Sequence, residues 1–221
     1  MTSPPALSTG CYYHIYNRGV DGQDIFIEER NYAYFLTLYT RHVHPFVDTY
    51  AYCLLKNHFH LFVRIKSPED AQLSKNIPDF EASQTLKVSN RSSFNSGNPS
   101  KTFRVFNPSN QFSKLFNAYA KSINKAYGRT GSLFQHPFQR VIVKDDRQFW
   151  NVIRYIHQNP QKHGFAKDFR RWKYSSYQVI PSSRATLIDR DMVLSYFGGV
   201  ENFIRTHAEW EQNLNQELLF D

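Results

Sequence analysis

The stretch KNHFHLFVRIK, residues 56–66, sets the fold prediction because polar and apolar side chains alternate along most of its length. Side chains of a β-strand point alternately to two faces, so residues two positions apart share a face. One face would be wholly apolar and would cover a core: Phe59, Leu61, Val63 and Ile65. The other would be mainly polar and basic: His58, His60, Phe62, Arg64 and Lys66. We therefore expect a half-buried strand with two imidazoles together at one end.

The segments before and after this strand predict a hairpin preceded by a strand and a helix. Residues 11–18 are aromatic and β-branched and predict the first strand. Residues 28–43 have the spacing of an amphipathic helix. A strand at 49–55 would then join the strand at 58–66 through a tight turn at Lys56-Asn57. A further helix is expected to begin near Ser67-Pro68-Glu69.

The second half of the chain predicts another helix, an extended segment and a third long helix. Residues 110–127 have helical spacing and are followed by Gly128. Residues 133–143 are expected to be extended, and residues 146–158 helical with an end at Asn159-Pro160. The resulting order β, α, β, β, α, β with extra helices favours the α+β class, with a ferredoxin-like antiparallel sheet as the leading candidate.

Composition along the chain predicts one main domain with an insertion and an extension. Residues 76–110 are rich in Ser and Asn and poor in apolar side chains, which is typical of a long loop insertion. Residues 1–180 would form a single domain around this insertion. Residues 181–221 would form a C-terminal helical extension with a short helix or two.

Charge and cysteine content restrict the class of partner and the compartment. The net charge of +8 fits a polyanionic partner, either nucleic acid or an anionic membrane surface. No signal peptide and no apolar run of roughly 18 residues are present, so the membrane alternative is weaker. Cys11 and Cys53 lack C-x-x-C spacing and are most simply small buried side chains, which fits a reduced cytoplasmic setting.

The histidine pair suggests a metal site but leaves it incomplete. His58 and His60 on one face could converge on a cation, since neutral imidazole is a common metal ligand. They are equally well explained as solvent-facing histidines on an open sheet. Two ligands do not complete a structural zinc site, whereas open coordination positions are what a catalytic metal uses to hold a phosphate. A third ligand is therefore needed.

The helix at 146–158 offers two candidates at the edge of its apolar stripe. With about 100° of rotation per residue, a core stripe is predicted at Phe149, Val152, Ile153 and Ile156. Tyr155 and Asn159 lie one turn apart beside this stripe, where a phenol and an amide oxygen could face one site. By periodicity alone, Tyr155 is more simply an ordinary edge residue, and Asn159 before Pro160 could mark only the helix end.

Two blocks, NHFHL at 57–61 and RYIHQNPQKHGF at 154–165, resemble the REP-associated tyrosine transposases. These belong to the single-tyrosine HUH transposase superfamily of single-strand insertion sequences. YHIYNRG at 13–19, GSLFQHPF at 131–138 and WKYSSY at 172–177 are similar to the family in the same order. The segments 76–110 and 181–221 have no counterpart.

The resemblance implies a function for each of four residues. Tyr155 would be the nucleophile, and His58, His60 and Asn159 would bind Mg²⁺ or Mn²⁺ in an HUH-type catalytic domain. The implied enzyme is a transposase and endonuclease that cleaves and rejoins single-stranded DNA, with hairpin (REP-like) sequences expected as its sites. Cleavage would leave a 5′-phosphotyrosine and a free 3′-hydroxyl. Members of the family occur both as dimers and as monomers, so a homodimer is one of two open states. The resemblance also implies a cytoplasmic, bacterial protein that associates with the nucleoid when bound to DNA.

The basic side chains around these blocks are candidates for binding DNA, although each alone could be an ordinary solvated charge. The set comprises Arg64, Lys66, Arg129, Arg140, Arg154 and Lys162. The excess of positive charge supports this assignment better than any single residue.

Two other functions stay open at this point. The chain could be a domesticated nucleic-acid-binding protein that keeps the fold without strand transfer, although all four presumed active-site residues are present. It could also be an unrelated metal hydrolase, but that chemistry would need acidic ligands near the histidines, and the motif blocks offer none that is obvious.

Overall fold

The computed structural model describes residues 4–75 and 106–210, so the predicted insertion at 76–110 and the end of the C-terminal extension lie largely outside the described residues. The described part contains four strands and six α-helices. The strands are β1 (Tyr12–Arg18), β2 (Val47–Leu54), β3 (His58–Ile65) and β4 (Gln139–Val143). The helices are α1 (Glu29–His42), α2 (Pro68–Lys75), α3 (Pro108–Ala126), α4 (Asp146–Lys162), α5 (Arg190–Phe197) and α6 (Val200–Trp210).

Within the described residues, the strands form one antiparallel sheet in the order β2-β3-β1-β4. This order and the β-α-β-β-α-β sequence of its core elements confirm the predicted α+β class and ferredoxin-like arrangement. β2 and β3 form a hairpin across Lys56-Asn57, closed by a hydrogen bond from the Leu55 N–H to the His58 carbonyl. The two central strands, β1 and β3, pair Tyr16 with His60 and Arg18 with His58. The start of β3 therefore lies beside the end of β1.

One face of the sheet packs on α1 and α3 and contains the larger core. The alternation of β3 predicts this face correctly, because all four of its apolar positions are buried there. Aromatic side chains from both helices complete it, among them Phe35 of α1 and Phe116 and Tyr119 of α3. Because α1 and α3 cover this face, the remaining strand side chains point to the opposite face of the sheet.

The opposite face is covered as well, so the prediction of a half-buried β3 with an open polar face was wrong. Helix α4 packs across β2 and β3, and α5 and α6 pack against the same region. Phe62 is fully buried there and His60 is only 4% exposed. Arg64 is the one residue of β3 that remains exposed. The alternation identified the side chains of each face but carried no information on what covers the second one.

Helix α4 continues past its predicted end at Asn159-Pro160. Pro160 lacks an N–H and so loses one backbone hydrogen bond, but the following turn still closes through a bond from the His163 N–H to the Asn159 carbonyl. Asp145 caps the other end by accepting from the Gln148 N–H. Asn159 is therefore held inside a regular helix and does not mark its end.

Two other boundaries differ from the prediction. The segment expected to be extended over 133–143 forms a strand only from Gln139, with Phe134 making an isolated bridge to Gly19. Pro137 lies between them and cannot donate a backbone hydrogen bond to a ladder. Helix α3 begins at Pro108, inside the predicted insertion, because Asn107 caps it by accepting from the Asn110 N–H.

The C-terminal helices join the second core and are fixed there by a buried chain of polar groups. The Phe203 carbonyl accepts from His207 Nδ1, 2.7 Å away, so His207 Nε2 must accept in turn from His157 Nδ1 at 2.9 Å. His157 Nε2 then accepts from the Ser176 hydroxyl at 2.8 Å. Each bond fixes the tautomer of the next ring. The chain connects α6 to α4 and onward to β2, whose Tyr52 N–H donates to Ser176 Oγ.

Neither cysteine of the described chain forms a disulfide, since Cys53 is buried and Cys11 is half-buried as free thiols. None of the helices in the ranges 4–75 and 106–210 is long and apolar enough to cross a membrane.

We predict that acidification destabilises the fold through His207. Burial lowers the pKa of this imidazole to about 3, so below about pH 6.5 the unfolded chain binds a proton that the folded chain does not. The free energy of unfolding should fall by about 1.4 kcal/mol per pH unit from this group as the pH drops from 6.5 towards 3. Urea unfolding at pH 7, 6 and 5 measures the slope.

The variant His207→Gln separates this effect from other titrations. It removes the buried titrating group and should give a shallower dependence on pH than the wild type. Equal slopes for the wild type and His207→Gln would contradict the assignment.

Candidate metal and nucleophile site

Helix α4 brings Tyr155 against the histidine end of β3. The centroid of the Tyr155 ring lies 5.5 Å from that of His60 and 5.7 Å from that of His14, nearly perpendicular to both. Lys162, two turns further along the helix, holds its Nζ atom 4.8 Å from the centroid of the phenol ring. The Tyr155 side chain is 4% exposed. The tyrosine predicted from the sequence is thus in contact with His60, one of the two predicted imidazoles, and lies beside a cation.

His58 is oriented by the residue before it. The Asn57 side-chain amide donates to the Gly22 carbonyl, which turns Asn57 Oδ1 towards His58 Nδ1 at 2.6 Å. A carbonyl oxygen only accepts hydrogen bonds, so Nδ1 of neutral His58 carries the proton. The lone pair of the ring then lies on Nε2, the atom suited to bind a metal.

His60 is more deeply buried and has one nitrogen without a protein partner. Its Nδ1 lies 2.9 Å from Nε2 of His14, whereas its own Nε2 is buried and makes no hydrogen bond. Burial holds the pKa of His60 well below its ordinary value, and the neighbouring His14, His58, His163 and Lys162 lower it further. The imidazole is therefore neutral at pH 7, the state in which it can act as a metal ligand.

Asn159 contributes a second buried acceptor without a partner. Its side-chain nitrogen donates to the Tyr155 carbonyl at 2.7 Å, while its Oδ1 is buried and accepts no hydrogen bond. Leaving a buried polar atom unpaired costs about 1–3 kcal/mol, a cost that binding a cation would offset. The ligand set of two imidazole nitrogens and one amide oxygen fits Mn²⁺ and, with water completing the shell, Mg²⁺.

No group of three His, Cys, Asp or Glu side chains within the described ranges is arranged to hold a metal ion. His163 does not complete such a group, although its ring centroid lies 4.9 Å from that of His58. A metal site at this position would therefore depend on the amide of Asn159 as its third protein ligand.

An open pocket of about 490 Å³ adjoins the histidines at the end of the sheet where β1 finishes and β3 starts. Its polar and aromatic lining comes from several elements: Tyr16, Asn17, Arg18, His58, His60, Gln135 and His163. Arg18 is exposed at the rim, opposite His58 in the strand pairing. The pocket is the route by which a ligand would reach His58 and His60.

The six predicted DNA-binding residues do not form one surface. Arg64 and Lys66 lie at the far end of β3, about 20 Å along the strand from His58, and both pair with Asp48. Lys162 lies over Tyr155, and Arg129 is near the histidine end because it donates to Gln23, in the loop that follows β1.

The other two basic residues point away from the pocket. Arg140 is paired with Ile15 and so lies on the α1/α3 face, where it bonds Ser109 and covers the Phe138 ring. Arg154 bonds Asn151 on its own helix and faces α6. The structure therefore places Tyr155 against His60, His58 beside His60, Asn159 on the carbonyl of Tyr155 and Lys162 over the Tyr155 ring. It separates this group from Arg64, Lys66, Arg140 and Arg154.

Several residues of the site were missed as site residues in the sequence: His14, Asn57, Arg18, Gln135 and His163. His14 carried a usable signal, since it shares the alternating face of β1 with Tyr16, and that strand lies next to the histidine strand. The others lie at the end of a strand, in the connections between elements or at a helix end, where alternation gives no direction.

The fold and site together define a ferredoxin-like domain in which a helical tyrosine faces a histidine pair on the central strand. The sequence is 25% identical over 134 residues to a protein of Haemophilus influenzae named "Putative REP-associated tyrosine transposase". The match covers 61% of this chain and 60% of that relative's length. No family model matches the sequence.

A solved structure described as a REP-associated tyrosine transposase bound to a REP hairpin has the same fold. It matches with a TM-score of 0.52 over 86% of this chain and 93% of that chain, at 12% identity. Both matches support the resemblance predicted from the sequence motifs, the first through sequence similarity and the second through the shared fold.

Proposed function

We propose that the protein cleaves and rejoins single-stranded DNA beside hairpin sequences, with Tyr155 as the nucleophile. The proposal rests on the position of Tyr155, which packs against His60 and lies one helical turn from Asn159. His60 Nε2 and Asn159 Oδ1 are both buried without a protein hydrogen-bond partner. A phenol beside two vacant ligand atoms is a combination that tyrosine-mediated phosphoryl transfer requires. The relatives named above support the choice of hairpin DNA.

His58, His60 and Asn159 would hold the divalent cation, Mg²⁺ or Mn²⁺. When bound, such a cation polarises the scissile phosphodiester and orients it for in-line attack. The chain supports this arrangement because burial lowers the pKa of His60, which keeps that imidazole neutral, and because His60 and Asn159 are buried. The two Nδ1 atoms are each bonded to another side chain, so the rings cannot turn freely.

The chemical step needs no external energy source. The Tyr155 oxygen attacks the phosphorus, the phenolic proton leaves, and the bond from phosphorus to the 3′-oxygen breaks. The 3′-oxygen takes up a proton, and the 5′ phosphate remains on the tyrosine. Attack by a 3′-hydroxyl on this phosphotyrosine reverses the sequence and rejoins the strand. Lys162 favours the first step because a cation stabilises the negative charge developing on the phenol.

The strand would approach through the pocket at the histidine end of the sheet, because His58 and His60 line that pocket. Arg18 and Arg129 would contact phosphates at this end, and the Tyr16 ring would stack on an unpaired base. The net charge of +8 adds a general attraction for the polyanion. A homodimer, the other partner expected from the resemblance, stays a prediction.

We expect the wild type to form a covalent adduct with a hairpin-bearing single strand in the presence of Mn²⁺, detected as a denaturation-resistant band. Tyr155→Phe keeps the ring and removes the attacking oxygen, so the adduct should disappear while hairpin binding is kept within about threefold. Tyr34→Phe, on the exposed side of α1, is the matched control and should form the adduct normally.

An adduct that persists in Tyr155→Phe would exclude this tyrosine as the nucleophile. Hairpin binding by the wild type without any adduct would favour the alternative function, a nucleic-acid-binding protein that keeps the fold without strand transfer.

We also expect Mn²⁺ to raise the melting temperature of the protein in the absence of DNA. A ligand present at 100 times its dissociation constant stabilises the folded state by about 2.7 kcal/mol. Asn159→Leu is similar in volume but has no ligand atom, so its melting temperature should not respond to Mn²⁺. The control Asn117→Leu changes an exposed asparagine of α3 and should respond like the wild type. An undiminished response in Asn159→Leu would remove Asn159 from the site.

Arg18→Ala and Arg129→Ala should each weaken hairpin binding and lower its dependence on salt. For single strands, each lost phosphate contact reduces the slope of log K against log salt by roughly 0.7. Fluorescence anisotropy at several salt concentrations gives the slope. Arg205→Ala, on the distant helix α6, is the control with an unchanged slope.

A further inference from the structure

His14 occupies the centre of the candidate site, although neither the strand alternation nor the motif assignment gave it a function. It is fully buried in the middle of β1, with its ring stacked on Tyr16 at 5.0 Å and on His60 at 5.1 Å between centroids. Its Nε2 atom lies 2.9 Å from Nδ1 of His60, a hydrogen-bond distance. Burying two adjacent imidazoles costs free energy of folding unless a hydrogen bond joins them, with the proton on one of the two facing nitrogens.

Two arrangements of that proton are possible, and they have opposite consequences. If His60 Nδ1 donates to His14, the lone pair of His60 lies on Nε2. If His14 donates instead, His60 Nε2 carries a hydrogen and cannot bind a metal. His60 Nε2 is buried and has no hydrogen-bond partner, so a hydrogen on that atom would be left unsatisfied. A lone pair there could instead bind a cation, which favours the first arrangement.

We propose that His14 is a positioning residue that accepts the Nδ1 proton of His60 and so presents His60 Nε2 to the catalytic cation. This inference rests on the proposed function, because it assigns His14 a part in the same metal site. Metal-binding histidines generally donate their second ring nitrogen to a neighbouring acceptor, which fixes the tautomer and raises the basicity of the ligand atom. Asn57 fulfils that condition for His58, and His14 fulfils it for His60.

The position of His14 also restricts how the ring of His60 can move. His14 is held between Tyr16 on its own strand and the edge of Tyr155 from α4, at 5.0 and 5.7 Å between centroids. Its Nε2 is therefore at a fixed place relative to the backbone of β1. Since β1 and β3 are paired along their full length, the hydrogen bond ties the ligand ring to the most rigid part of the sheet.

The first test is the tautomer of His60, observed by ¹⁵N NMR of the histidine rings in the metal-free protein at pH 7. We expect a protonated Nδ1 and an unprotonated Nε2 in the wild type. In His14→Phe, which keeps an aromatic ring but cannot accept, the two tautomers of His60 should mix. A wild-type His60 protonated at Nε2 would overturn the inference whatever the protein does with DNA.

The second test is the affinity for Mn²⁺ alone, measured by electron paramagnetic resonance without DNA. His14→Phe should weaken binding by about 10- to 100-fold, the usual effect of removing such a partner. His14→Gln, whose amide oxygen can accept the same proton, should lose less than about 10-fold. Urea unfolding of both variants shows whether they fold, and metal-free hairpin binding should be unchanged in each.

The two variants distinguish loss of the positioning role of His14 from loss of the metal site itself. If wild-type Mn²⁺ binding is lost in Asn159→Leu but unchanged in His14→Phe, the metal site stands and the positioning by His14 is refuted. If the wild type binds no Mn²⁺, both the site and the inference fail. Should His14→Phe not fold, the wild-type tautomer and the affinity of His14→Gln decide the question.

Discussion

The packing of α4 across β3 is the contact on which the rest of this structure depends. A ferredoxin-like sheet with its two crossover helices on one side leaves the other side uncovered, and here α4 covers it with the stripe that includes Val152 and Ile156. That apolar contact fixes the rotation of the helix. The edge of the stripe, with Tyr155 and Asn159, is then directed at the histidine end of β3. The hydrophobic effect that stabilises the second core also assembles the polar site.

The polar groups in this second layer are satisfied unevenly. His157 and His207 belong to a chain in which each ring nitrogen has a partner, and they join the C-terminal helices to α4. His60 Nε2 and Asn159 Oδ1 are equally buried but have no hydrogen-bond partner, and Gln158 Oε1 of the same helix has none either. What distinguishes His60 and Asn159 is their place beside Tyr155, since His60 packs against its ring and Asn159 donates to its carbonyl.

The sequence predicted those parts of the fold that depend on local pattern. Alternation in β3 identified the face of the larger core, and helical spacing identified the edge position of Tyr155. The sequence did not predict that α4 covers the histidine face. The spacing of apolar residues within one element carries no information on which distant element it contacts. Arg64 illustrates the error: it shares the alternation of His58 but lies six residues away, at the other end of the sheet. His14 was missed because its contact with His60 runs diagonally between two strands that are not consecutive.

The central claim is that Tyr155 is the residue that attacks DNA, at a site formed by the histidine strand. Mass spectrometry of peptides from protein incubated with a hairpin-bearing single strand and Mn²⁺ tests this claim most directly. Our account predicts a nucleotide attached through its 5′ phosphate to the peptide containing residues 154–162, on the tyrosine. An attachment at any other residue, or a linkage through a 3′ phosphate, would contradict it.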